Sequence, residues 1–158
     1  MKRFVPENFN PPELVEQPKF ILKKLCFSDA ALDFEAVMSS IELIRRIRGG
    51  NWPTPDLTLE EDQIDLGWHQ REFEFKSSFA YTVLSLSRAE CIGCVYVYPP
   101  DKPWLTPPDG ADSVVNMWVT QTAYNDGLYP ILFQFVQGWV KRDWPFKNPY
   151  YSNIEIPK

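Results

Sequence analysis

The sequence predicts one domain of mixed α and β structure, and three observations lead there. Stretches rich in β-forming residues alternate with stretches whose apolar residues recur at three and four positions. Two of the β-rich stretches are joined so closely that they make an antiparallel hairpin. The cleanest helical stripe in the chain follows directly on another β-rich run. A length of 158 residues leaves room for one core of ordinary size. Its 44% hydrophobic and 23% charged residues are the composition of a chain that folds, far from the signature of disorder.

Residues 1–18 carry Pro6, Pro11, Pro12 and Pro18, and proline fixes its own backbone while denying helix to its predecessor. This predicts an extended Pro-rich arm rather than a packed element, leaving 19–158 as the domain. Lys19 to Phe27 is short and apolar-rich and reads as a first strand. A helix follows, with Ser28 as its cap, Asp29 in its first turn, Arg45, Arg46 and Arg48 in its last, and Gly49-Gly50 as its stop. Phe34, Val37, Met38, Ile41 and Ile44 give it one buried face. Cations favoured by the carbonyl end of a helix account for the arginine cluster without an anion site.

Thr58 and Glu61 form a capping box, and Glu60-Glu61-Asp62 complement the dipole of a second helix that carries Ile64, Trp68 and Phe75 on roughly one side. The hairpin runs from Phe79 to Leu86, through the polar turn Ser87 to Glu90, into Cys91 to Tyr98. Pro99 to Asp112 is a proline-laden loop of a length that is often functional, and Ser113 to Thr120 is a further strand. Leu128, Ile131, Leu132, Phe135, Val136, Trp139 and Val140 mark the long helix, capped by Asn125 or Asp126 and ended before Pro145. Tyr150 to Ile156 reads as the last strand.

Charge and composition narrow the partners. A formal charge of -5 leaves no basic surplus for phosphate neutralisation, so nucleic acid is not an expected partner. No apolar run approaches the roughly 20 residues that cross a bilayer, so no membrane is expected. The start of the chain shows no signal-peptide pattern, and three cysteines without disulfide spacing agree with a reducing compartment, so a cytoplasmic location is expected. The 15% aromatic content is expected to fill the core rather than form a ring platform.

Two segments, together with the order of elements, resemble the GCN5-related N-acetyltransferase (GNAT) superfamily. Glu90-Cys-Ile-Gly93-Cys-Val-Tyr looks like that family's hairpin, and Val119-Thr-Gln-Thr-Ala-Tyr-Asn-Asp-Gly127-Leu looks like the end of its fourth strand and the loop opening its long helix. The resemblance implies a central, mostly antiparallel sheet flanked by helices. It also implies acetyl-CoA or another acyl-CoA as co-substrate and a small-molecule or peptide amine as acceptor, acylated by direct attack on the thioester. On this resemblance Trp118, Val119 and Thr120 would hold the pantetheine and Gly127 and Leu128 the pyrophosphate, with Trp104 bordering the acceptor pocket. A helix start suits an anion, since it offers unpaired N–H groups and the positive end of a dipole.

The departures from the family pattern are specific. Where its loop reads Gln/Arg-x-x-Gly-x-Gly/Ala, this chain has Tyr124, Asn125, Asp126, Gly127, Leu128 and Tyr129, and only Gly127 survives. Tyr129 replaces a small residue, and Pro130 has no N–H to donate. One lost hydrogen bond to a charged group, about 1.5–3 kcal/mol, weakens binding about tenfold to more than a hundredfold. Asp126 adds a carboxylate beside the proposed anion, unless it serves only as a helix cap. The elements that follow the fifth strand in the family are missing here, and no tyrosine matches its general acid. The alternative is therefore a catalytically degenerate binding or interaction module of the same fold. An exposed sheet edge would be covered by a homodimer partner or by the N-terminal arm.

Other candidate groups read as structural. Glu72, Glu74 and Glu90 are available as bases near the hairpin but sit where charges are usually only solvated. His69 is the lone histidine, with no placed partner. Cys91 and Cys94 suggest a redox pair or half a metal site, but residues three apart on a strand face opposite ways unless a bulge at Gly93 intervenes, so no metal is expected.

Overall fold

The computed structural model describes residues 2–158. Six strands form a single sheet in the order of the chain: β1 (Leu14–Glu16), β2 (Ile21–Lys24), β3 (Phe79–Leu84), β4 (Cys91–Tyr98), β5 (Ser113–Val119) and β6 (Pro149–Tyr151). All neighbours are antiparallel except β5 and β6, which are parallel because a helix returns the chain between them. The helices are α1 (Ala30–Met38), α2 (Ile41–Arg48), α3 (Leu59–Glu74), the short α4 (Gln121–Asn125) and α5 (Leu128–Asp143). The mixed architecture with helices flanking a mostly antiparallel sheet is the one expected.

Each face of the sheet carries its own cluster. Val83, Val95, Val97, Val115, Met117 and Val119 point at α5, whose Leu132, Phe133, Val136, Trp139 and Val140 face them. On the other side Cys94, Tyr96, Tyr98, Val114 and Trp118 meet Ala36 and Val37 of α1, Ile44 of α2 and Leu66 of α3. The aromatic residues fill the core, as expected, and most do so beside α5. Tyr81, Trp139 and Trp144 meet edge-on at 5.2 to 6.3 Å.

Several expectations need correction. The Pro-rich arm is extended but packed. Phe4 stacks on Phe146 at 5.5 Å, Val5 is buried, and Leu14–Glu16 pairs with β2, so the arm adds the strand at the β2 side of the sheet. The first helix is two helices, broken at Ser39-Ser40. Ser39 Oγ donates to the Ala36 carbonyl at 2.8 Å, and serine hydroxyls that bond the local backbone compete with helix in this way. Ser28 lies inside a 3-10 turn (Phe27–Asp29) and caps nothing; the Asp29 carboxylate instead accepts from the Cys26 N–H at 2.8 Å.

Thr58 does cap α3, accepting from the Glu61 N–H at 3.1 Å. The buried face of α3, however, is Asp62, Leu66 and Phe73, while Ile64, Trp68 and Phe75 are exposed. The cap of α5 is Gly127, in the left-handed conformation at φ 84°; Asn125 ends α4 and Asp126 follows it. The last strand stops at Tyr151, because from Ser152 the chain turns away and Ile154 N–H donates to the Ile47 carbonyl at 2.7 Å.

Candidate functional site

The site is built on β5, at the place where its pairing with β6 ends. The parallel ladder runs from Ser113 to Val115, and Ser152 N–H extends it by donating to the Val115 carbonyl at 3.0 Å. The next outward-facing peptide group on β5 belongs to Met117, and a side chain meets it in place of a strand. Asn153 Oδ1 accepts from the Met117 N–H at 3.1 Å, and Asn153 Nδ2 donates to the Met117 carbonyl at 2.9 Å. The same Nδ2 donates to the Tyr129 hydroxyl at 2.8 Å, and that hydroxyl donates in turn to the Glu155 carbonyl. Burial pushes the Tyr129 hydroxyl up to about 12, so it stays protonated in this role.

The wedge where β5 and β6 part is thus closed by the chain's own amide and ring. Of the residues proposed for the pantetheine, Trp118 and Val119 have no exposed surface, and Trp118 Nε1 donates to the Tyr96 hydroxyl at 2.9 Å. Thr120 caps α4, accepting from the Ala123 N–H at 3.3 Å. Three amides of the would-be phosphate loop are also spent internally. Those of Tyr124, Asp126 and Gly127 bond the carbonyls of Thr120, Thr122 and Tyr124. Gly127 itself faces open space.

Two cavities flank this junction. The first, about 690 Å3, lies at the amino end of α5 and is bordered by Thr120, Asp126, Leu128, Ile131 and Glu90. It thus receives Thr120 and Leu128 of the proposed coenzyme residues, but not Trp118, Val119 or Gly127. The second, about 700 Å3, opens on the α1–α3 face beside Asn116 and Ser152 and is walled by Tyr96, Tyr98, Trp52 and Trp104. Both volumes fall in the usual range for small-molecule sites.

Residues that the sequence did not single out line the second cavity. Arg48, grouped with Arg45 and Arg46 as a helix-end cation, separates from them here. Arg45 donates to the Pro53 carbonyl and Arg46 pairs with Glu155, whereas Arg48 turns into the cavity. Its Nε donates to Asn116 Oδ1 at 2.7 Å and Nη2 to the Tyr98 hydroxyl at 3.3 Å, and its guanidinium lies 4.5 Å from the Tyr96 ring centre. Burial pushes the Tyr98 hydroxyl up to about 12, so it is a neutral neighbour for that cation.

His69, expected to lack a partner, has one: Asp65 Oδ2 lies 3.4 Å from its Nε2 on the cavity wall. Glu72 is paired with Lys102, Glu74 with Lys24 at 3.6 Å, and Glu90 lies on the first cavity. Trp104, set by the resemblance at the border of an acceptor pocket, does line this cavity, whose charged members come from α2, α3 and the long loop.

The cysteines also depart from expectation. Val83 pairs with Gly93 and Leu84 with Cys91, so Ile92 is an extra residue and the bulge turns Cys91 to the same face as Cys94. Both thiols then lie with Asp33 in a buried cluster, its donor atoms all within 4.8 Å, and Cys94 Sγ donates to Asp33 Oδ1 at 3.4 Å. Burial, with Cys91 and Asp62 beside it, holds the Asp33 carboxyl well above the usual carboxylate range. Three metal-capable donors thus meet where none was expected. Each is hydrogen-bonded within the core: Cys91 Sγ accepts from Thr82 Oγ1 at 3.4 Å and donates to the Gly93 carbonyl at 3.3 Å, and Cys94 donates to Asp33.

The six-stranded sheet, whose last pair is parallel with the long helix leading from one strand to the other, is a fold this chain shares with solved acetyltransferases. A putative GnaT-family acetyltransferase from Bordetella pertussis is 13% identical, with 83% of this chain and 73% of that one covered at a TM-score of 0.58. The Salmonella typhimurium acetyltransferase that modifies the N-terminal serine of ribosomal protein L7/L12 is 10% identical over 88% and 74% of the two chains, with a TM-score of 0.65. The microcin C7 self-immunity acetyltransferase MccE, solved with acetyl-CoA and AMP, is 10% identical over 83% and 68%, with a TM-score of 0.60. No family model and no curated protein matches the sequence. At these identities the likeness establishes the fold. No helix among the described residues is long and apolar enough to cross a membrane.

Proposed function

We propose that the chain is an acyl-CoA-dependent N-acyltransferase that takes acetyl-CoA or another acyl-CoA into the β5/β6 wedge and passes the acyl group to an amine. The observation that carries this reading is the Met117 peptide group, an outward-facing strand edge satisfied by a carboxamide. A pantetheine arm is a chain of secondary amides, and such an amide can replace Asn153 on one or other of these two hydrogen bonds. The acyltransferase neighbours of this fold, one of them holding acetyl-CoA, support the same reading. The acceptor amine would enter from the second cavity, beside Asn116. There His69, with Asp65 3.4 Å from its Nε2, lines the cavity as a base that can take the ammonium proton. The residues suit a pantetheine arm better than a pyrophosphate: Pro130 lacks a donor, Asp126 repels an anion, and the Gly127 amide is already bonded to the Tyr124 carbonyl.

A second reading, a binding module of the same fold without the reaction, is favoured by the closed wedge, in which Trp118 and Val119 have no exposed surface. Thermal melting with acetyl-CoA separates the two. Ligand at a hundred times its dissociation constant adds about 2.7 kcal/mol, and the first reading expects a clear rise in Tm. It expects a larger rise in Asn153→Ala, where the competing amide is gone. Neither wild type nor Asn153→Ala responding at millimolar acetyl-CoA would leave only the second reading standing.

A further inference from the structure

The second cavity contains a cation that no acid answers. Seven ion pairs join lysine or arginine to acids among the described residues, and Arg48 is in none of them. The other charges on the cavity wall do have partners. Glu72 pairs with Lys102, and Asp65 lies 3.4 Å from His69. Arg48 has only neutral neighbours: Asn116 Oδ1, the Tyr98 hydroxyl, and the faces of Tyr96 at 4.5 Å and Trp52 at 5.4 Å.

A guanidinium offers five N–H donors in a planar fork. One Nε donor and one Nη2 donor are used here, which leaves three for a ligand. The fork is also held in place. Asn116, which accepts from Nε, donates on its other side to Ser152 Oγ at 2.7 Å, and Tyr98 stacks on Tyr96 with rings 6° from parallel. A charge fixed on an aromatic floor in a partly desolvated pocket suits a planar oxyanion, because bidentate pairing of arginine with a carboxylate is both strong and directional. Part of the wall is apolar: Tyr98 and Trp104 meet edge-on at 6.1 Å, with Leu105 beside them, while Asp65, His69, Glu72 and Lys102 line the remainder.

We infer that this cavity binds a small organic carboxylate with a flat apolar body, its carboxylate on Arg48 and its body against the aromatic walls. Where the chain acts as an acyltransferase, this names the acceptor class as an amine that also bears a carboxylate; that step rests on the function proposed above, whereas the binding itself does not. Arg48 then selects the substrate and takes no part in proton transfer.

Calorimetric titration without any coenzyme tests the binding alone, so its outcome is independent of whether acetyl-CoA binds. The probes are 4-aminobenzoate and its neutral counterpart 4-aminobenzamide. Wild type should bind the carboxylate about tenfold to a hundredfold more tightly than the amide, the span set by one hydrogen bond to a charged group. Arg48→Met should lose that preference, and Arg48→Lys should keep part of it. Equal affinity of wild type for the two probes, or no saturable binding of either at ten millimolar or so, would overturn the inference. Should Arg48→Met fail to fold by circular dichroism, the wild-type comparison and Arg48→Lys still decide.

Discussion

The two faces of the sheet are built from the same strands and are chemically unlike. Against α5 the contacts are aliphatic and aromatic, and Phe79, Tyr81, Trp139 and Trp144 interlock at 5.1 to 6.3 Å. Against α1, α2 and α3 the same sheet buries Asp33, Asp62 and two thiols, half-buries an arginine without an acid partner, and leaves a cavity of about 700 Å3. Burying unpaired polar and ionisable groups costs free energy, whereas close-packed rings repay it. The α5 face thus holds the domain together, and the opposite face spends part of that stability on groups suited to binding and proton transfer.

Truncation on the two faces should therefore differ in size. Trp139 is fully buried at the centre of the ring cluster, and Trp139→Ala should cost about 3–5 kcal/mol. Urea denaturation measures this, and a loss below about 1 kcal/mol would show that the aromatic face does not dominate stability. Between the faces, Gly93 lets β4 and β5 approach, since a Cβ there would lie 2.4 Å from the Trp118 carbonyl oxygen. Gly93→Ala should cost about 1–3 kcal/mol by forcing the strands apart. The damage should extend to carboxylate binding, because Tyr96 and Asn116 are partners across this same strand pair.

The contrast also explains what could be read from the sequence. The elements of the α5 face were legible, since β5 and the long helix are runs of apolar residues at the periods of strand and helix. The other face broke that rule. The apolar side of α3, Ile64, Trp68 and Phe75, points outward, and the side carrying Asp62, His69 and Phe73 points inward, so hydrophobic periodicity assigned it backwards. Cys91 and Cys94 came together through a bulge at Ile92, and strand alternation cannot reveal a bulge in advance. Asn153 lies within the segment read as a strand, yet it uses its side chain to replace that strand. Arg48 resembled any cation at a helix end until Arg45 and Arg46 were seen to turn elsewhere. The candidate site was hidden because its residues break the apolar pattern that marks strands and helices.

One expected effect has the opposite sign and belongs to the polar face alone. The Asp33 carboxyl, raised by burial, keeps a proton that the unfolded chain gives up near pH 4. Below that value Asp33 is protonated in both states and costs nothing. Above it only the unfolded chain ionises, so stability falls with rising pH until the folded carboxyl also loses its proton. A proton held between the two acids would give Asp62 Oδ2, buried and otherwise unpaired, a donor. Asparagine copies the protonated acid: its oxygen still accepts from Cys94, its amide donates to Asp62, and it does not titrate. Asp33→Asn should therefore match wild type near pH 4 and exceed it at pH 8, on the order of 1 kcal/mol for each pKa unit of the shift. Urea denaturation at both values measures the difference. A gap that stays constant with pH would mean that Asp33 is already ionised in the fold, and the polar face would then carry a buried charge where it was taken to hold a proton.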